Sequence, residues 1–489
     1  MTFRSTSHAT RPALAVGAVC LVLAPLTGCG GSDGGEPSSS KGQPSAPAES
    51  RAPGQGKGSK DPDDLNGDGH RDLVLPAPAR RDPEKTGRDE RVAVVYGSAK
   101  GLDPATRTVH GRRDLGLPAA SDTTPGAGPD HVPTDGVVTA DLDGDGFSDV
   151  VTNAEGEMAD DGNISAARTV PHVTWGGPGG PGRPGKGAEA TPVKLPESAS
   201  KLGVTSVVRG DFDGDGHHDL AGLAQNRSSA VVLYGPFTRS GDPKRTDTSL
   251  PWTDGDLAAD AIDPSGKARA TSLLVHAVSD GEQSGNTLYP ARRGSGLSAE
   301  GKKLRAGNAH AFGDFDGDGQ RDVAIGDDGS RNDEPGNETE PSDVSGSLAV
   351  YPGSGGDPVV RRSPVASKAP EGYEAAGGYT AADPDGDGRD GILVATYEGA
   401  TFVDGDRRTP VLRKGPAKAD GRKMSAKERR THPVGAGDFD GDGKDELVLN
   451  WGSGVSTGPY GQQPTHWWIT DGTGSRDMSS FTTTKFVQD

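Results

Sequence analysis

The sequence predicts an all-β protein: a seven-bladed β-propeller preceded by a signal peptide and a disordered linker. Two observations predict the propeller. An acidic loop recurs six times, and each copy is followed by a short apolar strand ending in an aromatic residue or a turn. Composition agrees. Among 489 residues there are 76 Gly and 38 Pro, with apolar residues at 31% and aromatics at 5%. That is too rich in turns for a helical protein and suits short strands joined by many loops. The formal net charge of −19 argues against nucleic acid and anionic membrane surfaces as partners, and favours cations.

The N-terminus reads as an export signal. Arg4 and Arg11 precede the apolar run "ALAVGAVCLVLAPL" (13–26), which is too short for a stable bilayer span but right for a signal-peptide core. "LTGC" (26–29) then resembles a bacterial lipobox. That resemblance implies cleavage after residue 28 and a lipid on the sulfur of Cys29, giving a membrane-anchored lipoprotein outside the cytoplasm. The rival reading is plain secretion with an incidental Cys29. With Cys20 removed and Cys29 lipidated, no thiol is left for a disulfide, so another stabiliser is needed. Residues 29–62 are nearly pure Gly, Ser, Pro and charge and are expected to form a disordered tether, with the folded domain at 63–489.

The acidic copies are "DLNGDGHRD" (64–72), "DLDGDGFSD" (141–149), "DFDGDGHHD" (211–219), "DFDGDGQRD" (314–322), "DPDGDGRDG" (383–391) and "DFDGDGKDE" (438–446). Their starts are 77, 70, 103, 69 and 55 residues apart. The long third gap holds a decayed copy, "ADAIDPSGKARATSLLV" (259–275), followed by the strand-like "NTLYPARRGSGL" (286–297). Seven units of roughly 61 residues follow, each with room for a four-stranded blade. Strand pairs such as "TSVVRGD" with "DLAGLA" put each acidic loop between two strands of one blade. The C-terminal "SFTTTKFV" (480–487) is expected to complete the first blade and close the ring.

In each loop, side-chain oxygens fall at positions 1, 3, 5 and 9. A carbonyl is available at 7, and Gly at 6 permits a sharp turn. Many hard oxygens in a flexible arrangement suit Ca²⁺ better than Mg²⁺. Without a cation the carboxylates would repel one another. An EF-hand needs an acid at position 12, where this chain has Leu75, Thr152, Gly222, Ile325, Val394 and Leu449.

Loop, strand context and sevenfold count together resemble the FG-GAP/VCBS repeats of integrin α-type propellers, across roughly 63–489. The resemblance implies five or six Ca²⁺ sites. Their ligands would be Asp64, Asn66, Asp68 and Asp72; Asp141, Asp143, Asp145 and Asp149; Asp211, Asp213, Asp215 and Asp219; Asp314, Asp316, Asp318 and Asp322; and Asp438, Asp440, Asp442 and Glu446. The fifth loop offers Asp383, Asp385 and Asp387, but Gly391 stands at position 9 and Asp390 sits one place early, so weaker binding is expected there. The decayed repeat around Asp260 and Asp263 is expected to bind nothing.

The resemblance further implies adhesion or ligand binding. The chain is expected to act as a monomeric, non-catalytic binder of a protein or glycan, touching the membrane only through its lipid. Two alternatives are a polysaccharide lyase or hydrolase working in the propeller funnel, and a purely structural surface protein. No nucleophile–base, zinc or phosphate-loop motif is present. "RGD" (209–211) is a decoy, because Asp211 is position 1 of an acidic loop. Trp252, Trp467 and Trp468 could line a sugar site, but blade core is the stronger reading.

Overall fold

Short runs of β-branched and aromatic residues, cut by Gly-rich turns, form seven antiparallel blade sheets in chain order, with two small two-stranded hairpins beside them. The computed structural model describes residues 43–47, 50–80, 89–120, 128, 130–182, 189–277, 283–331, 343–365, 377–456 and 458–487. The signal segment and Cys29 lie outside them. Blade 1 has three strands, Leu73–Pro78, Glu90–Val95 and Arg107–His110. Blades 2 to 7 have four each. Their first strands are Val137–Ala140, Val204–Gly210, Gly255–Ala259, Ala309–Gly313, Tyr379–Ala382 and His432–Gly437.

The acidic loops set a common register. In five blades the residue before the loop pairs with position 9: Ala140 with Asp149, Gly210 with Asp219, Gly313 with Asp322, Ala382 with Gly391, and Gly437 with Glu446. The loop 64–72 differs, since it enters blade 1 with no strand before it. In blade 4 the turn is longer, and the Asp260 N–H donates to the Ser272 carbonyl at 3.0 Å.

Each blade is buried on both faces, which is why its middle strands read as unbroken apolar runs. Along Asp219–Ala224, Leu220 and Ala224 pack toward blade 2, whereas Ala221 and Leu223 pack toward blade 4. This is the two-residue period of a strand serving two seams. Seven apolar clusters fill the seven seams between successive blades, the last joining blade 7 to blade 1 through Leu75, Val448, Phe481 and Phe486. The ring is therefore closed by packing.

Two expectations are corrected. First, the C-terminal strand does not complete blade 1. Asp477–Thr482 is the fourth strand of blade 7, paired with His466–Thr470. Beyond it Phe486 contributes only packing, stacked on Phe481 and lying under the Arg107 guanidinium. Second, the folded unit begins at Gln43, so part of 29–62 is not a free tether. Ser45 bridges to Phe481 and Arg51 to Thr106, both in parallel. The N–H groups of Lys57 and Gly58 donate to the Gly67 carbonyl, and that of Ser59 to the Gly146 carbonyl. These residues lack apolar content, so they are held by backbone hydrogen bonds rather than burial, a contact that hydropathy does not reveal.

Candidate metal loops and the ring axis

All six loops share one backbone solution. The position-1 carboxylate accepts N–H groups from inside its own loop: Asp141 from Gly144 at 2.9 Å and Gly146 at 3.0 Å, and Asp314 from Gly317 and Gly319 at 2.8 Å each. Glycines at both positions 4 and 6 are left-handed, for example Gly214 at φ +67 and Gly216 at φ +88. The sequence reading explained only the second of these. The position-2 side chains Leu65, Leu142, Phe212, Phe315 and Phe439 are buried, as anchors beside the loop.

Position 9 ties the loop to the blade. Asp149 accepts the Leu142 N–H at 2.9 Å and the Gly176 N–H at 2.8 Å, and Asp219 accepts those of Phe212 at 2.6 Å and Gly235 at 2.8 Å. Asp72 and Asp322 repeat the pattern with Gly97 and Gly353. A Cβ on any of these four glycines would stand 2.2–2.4 Å from the position-8 carbonyl oxygen, so a Gly is required there by close approach. It is visible in "YG", "WG" and "PG", and sequence reasoning had no reason to single it out.

Ligand atoms gather within 4.8 Å in five loops: Asp141, Asp143, Asp149; Asp211, Asp213, Asp219; Asp314, Asp316, Asp322; Asp383, Asp385, Asp387; and Asp438, Asp440, Glu446. These clusters could hold a metal ion. Position 5 is absent from the sets of the second, third, fourth and sixth loops, whereas in the fifth it stands in place of position 9. In all six loops the position-5 carboxylate accepts the position-7 N–H: Asp68, Asp145, Asp215, Asp318, Asp387 and Asp442. Surface cations approach two loops: Arg239 contacts Asp143 and Asp145, while Lys244 and Arg245 contact Asp215 and Asp213. Burial pushes the carboxyls of Asp149, Asp219 and Glu446 up to about 8, so their negative form lacks a counter-charge.

The donor set fits a hard cation, and two atoms make the fit specific. Asn66 Oδ1 and Asp213 Oδ1, both at position 3, are buried with no hydrogen-bond partner. In the fifth loop Asp390 turns away from the cluster. Its Oδ2 accepts the Asp314 N–H at 2.7 Å and pairs with Arg321 at 2.8 Å.

That contact belongs to a second series, at position 8, which sequence reasoning missed because the residue type changes. His218 Nδ1 accepts the Asp141 N–H, Thr271 Oγ1 that of Asp211, and Asp445 Oδ2 that of Asp383, each at 2.8 Å. Blades 3, 4, 6 and 7 thus each clasp position 1 of the blade before. Asp260 of the decayed repeat is buried between Arg269 and Arg321. Near the axis Asp63 pairs with Arg209 and accepts the Thr139 hydroxyl at 2.7 Å, while Asp61 pairs with Arg71 at 3.0 Å. "RGD" is consumed by this packing. Trp467 and Trp468 are each only 3% exposed, and Trp252 packs on its blade core beside Arg227.

No protein-family model matches the chain, and no curated protein matches its sequence. Among solved structures it is similar to BBS1N in complex with ARL6DN, at 9% identity and TM-score 0.38, covering 71% of this chain and 81% of that one. It is also similar to an ancestral GH74 enzyme, at 11% identity and TM-score 0.26, covering 89% of this chain and 63% of that one. The seven blade sheets and seven filled seams of the chain itself make it a seven-bladed β-propeller.

Proposed function

We propose that this chain is an exported lipoprotein, held to the membrane by a lipid on Cys29, whose propeller is stapled by Ca²⁺ in five or six FG-GAP/VCBS-type loops and binds a protein or glycan without catalysis. The observation that carries the calcium reading is the pair of buried, unpartnered oxygens at position 3, Asn66 Oδ1 and Asp213 Oδ1, with Asp213 one of the gathered residues of its loop. An unsatisfied buried acceptor costs about 1–3 kcal/mol, which a cation removes. Oxygen donors in a flexible loop favour Ca²⁺ over Mg²⁺. The ion serves as a fastener in a protein without disulfides.

Calorimetric titration of the chelator-treated protein tests this. Five or six Ca²⁺ equivalents and a rise in melting temperature are expected, with a weaker response to Mg²⁺. No heat and an unchanged melting temperature would sink the stapling reading. Replacing Cys29 by Ala should abolish lipid labelling and release the protein from the membrane.

The funnel enzyme is retained as a second reading on one observation: Arg112, His131 and Glu155 line the same axial cavity. A polysaccharide turnover assay separates the two, since a binder retains its glycan unchanged.

A further inference from the structure

The acidic net charge conceals one strongly basic stretch. Residues 413–430 connect the last strand of blade 6 to the first of blade 7, and hold eight Lys and Arg against Asp420 and Glu428. The connector sits at the end of the blades away from the acidic loops. Trp451, the last residue of the strand that follows loop 438–446, donates from Nε1 to the Glu428 carbonyl at 2.7 Å. Within the connector Lys418–Ala419 and Arg422–Lys423 pair as a hairpin. Asp420 and Gly421 turn its tip at φ +50 and φ +77, as a type I′ turn requires. Met424 packs on Trp451 and Trp468 with Ala419 beside it, which fixes the inner face of the hairpin. Strand alternation then turns Lys418 and Lys423 to solvent, directly opposite one another. Like charges so placed destabilise a hairpin, and an anionic partner relieves them. Arg413 is taken by Asp477 and Arg422 by Glu428. Lys414, Lys418 and Lys423 are exposed, with no acidic partner among the described residues.

The folded unit begins beside this patch. The Gln43 amide donates to the Lys414 carbonyl at 3.3 Å, and Ser45 bridges to Phe481. Cys29 lies 14 positions before Gln43, so the chain between them reaches at most about 50 Å. Surface fields decay within about 10 Å at 0.1 M salt, so the local sign decides and the total charge does not. Ammonium groups on flexible stems suit a fluid array of anions better than one fixed anion. We propose that the surface carrying Lys414, Lys418 and Lys423 docks on the anionic phospholipid headgroups of the membrane that holds the Cys29 lipid, turning the acidic loops away from it. The lipid retains the chain and the patch orients it. This goes beyond the binder reading, and rests on the anchor only to bring the patch to the membrane.

The test uses the full chain with Cys29→Ala, sedimented with vesicles of phosphatidylcholine alone or of equimolar phosphatidylcholine and phosphatidylglycerol. In low salt, binding to the mixed vesicles only is expected, falling about fivefold in each of Lys414→Gln, Lys418→Gln and Lys423→Gln. It should vanish at physiological salt, where the patch acts only while a tether keeps it at the surface. Lys418→Glu separates docking from folding. It should weaken vesicle binding yet raise the melting temperature, because it faces Lys423 with the opposite charge. Equal binding to neutral vesicles, no binding to either, or parent-like binding by the lysine variants overturns the proposal. Tighter capture by duplex DNA than by the mixed vesicles overturns it too. Lipid labelling of the unsubstituted chain judges the anchor separately, so either can fail without the other.

Discussion

Asp63 and Arg209, 146 positions apart in sequence, form a two-point ion pair near the ring axis, with Nη1–Oδ1 and Nη2–Oδ2 both 2.7 Å. Arg209 also donates to the Thr139 carbonyl at 2.7 Å, so the N-terminal segment, blade 2 and blade 3 meet at one guanidinium. Burial opposes ionisation of Asp63, but Arg209 outweighs it and holds the carboxyl well below the usual range.

Replacing Asp63 by Ala strands a largely buried guanidinium and should cost about 3 kcal/mol. A double-mutant cycle with Arg209→Ala checks the assignment. If the two losses simply add, the pair does not join these segments.

The position-8 clasp predicts a contrast between two substitutions at one site. Asp445→Ala leaves the Asp383 N–H without its acceptor and should cost about 1–3 kcal/mol, whereas Asp445→Asn keeps an acceptor and should be nearly neutral. Denaturant unfolding of both variants reads the difference, and equal losses would refute the clasp.

Within the third loop, Asp219→Asn should remove about one Ca²⁺ equivalent, because position 9 belongs to the gathered set. Asp215→Asn should only weaken binding, because position 5 stands outside it. At a free ion concentration ten times the dissociation constant, each lost site forfeits about 1.4 kcal/mol. Titration calorimetry with melting curves decides, and indistinguishable variants would contradict the geometry.

His110 gives a pH dependence. Burial pushes its pKa from 6.5 down to about 4, with Nδ1 unpartnered and Nε2 at 2.8 Å from the Thr108 hydroxyl. The unfolded chain therefore binds the proton more tightly. The stability this group contributes is present above pH 6.5 and lost as pH falls through about 4, amounting to roughly 3 kcal/mol. A His110→Asn variant should show a flatter melting profile between these limits, and an unchanged slope would exclude His110 as its source.

Phe486 fills the seam that closes the ring. Phe486→Ala should cost about 3–5 kcal/mol by opening a cavity against Phe481 and Arg107. A loss below about 1 kcal/mol would mean the last residues do not seal the seam.

The sequence by itself determined the repeat count and, for five of the six copies, an acidic loop between two strands of one blade. Each is a local pattern: an odd-position run of oxygens, an obligate turn at glycine, and a two-residue apolar period. Tertiary structure alone decided the rest. "SFTTTKFV" is strand-like wherever it lies, and only its neighbour His466–Thr470 assigns it to blade 7. Residues 50–63 carry no apolar signal, and backbone bonds and the Asp63 carboxylate hold them instead. His218, Thr271, Asp390 and Asp445 share a role that no residue type marks, since any side-chain acceptor at this place can receive one N–H from the preceding blade. The axial cavity is assembled from four blades, so residues as far apart in sequence as Arg112 and Asp256 share its wall only in the closed ring.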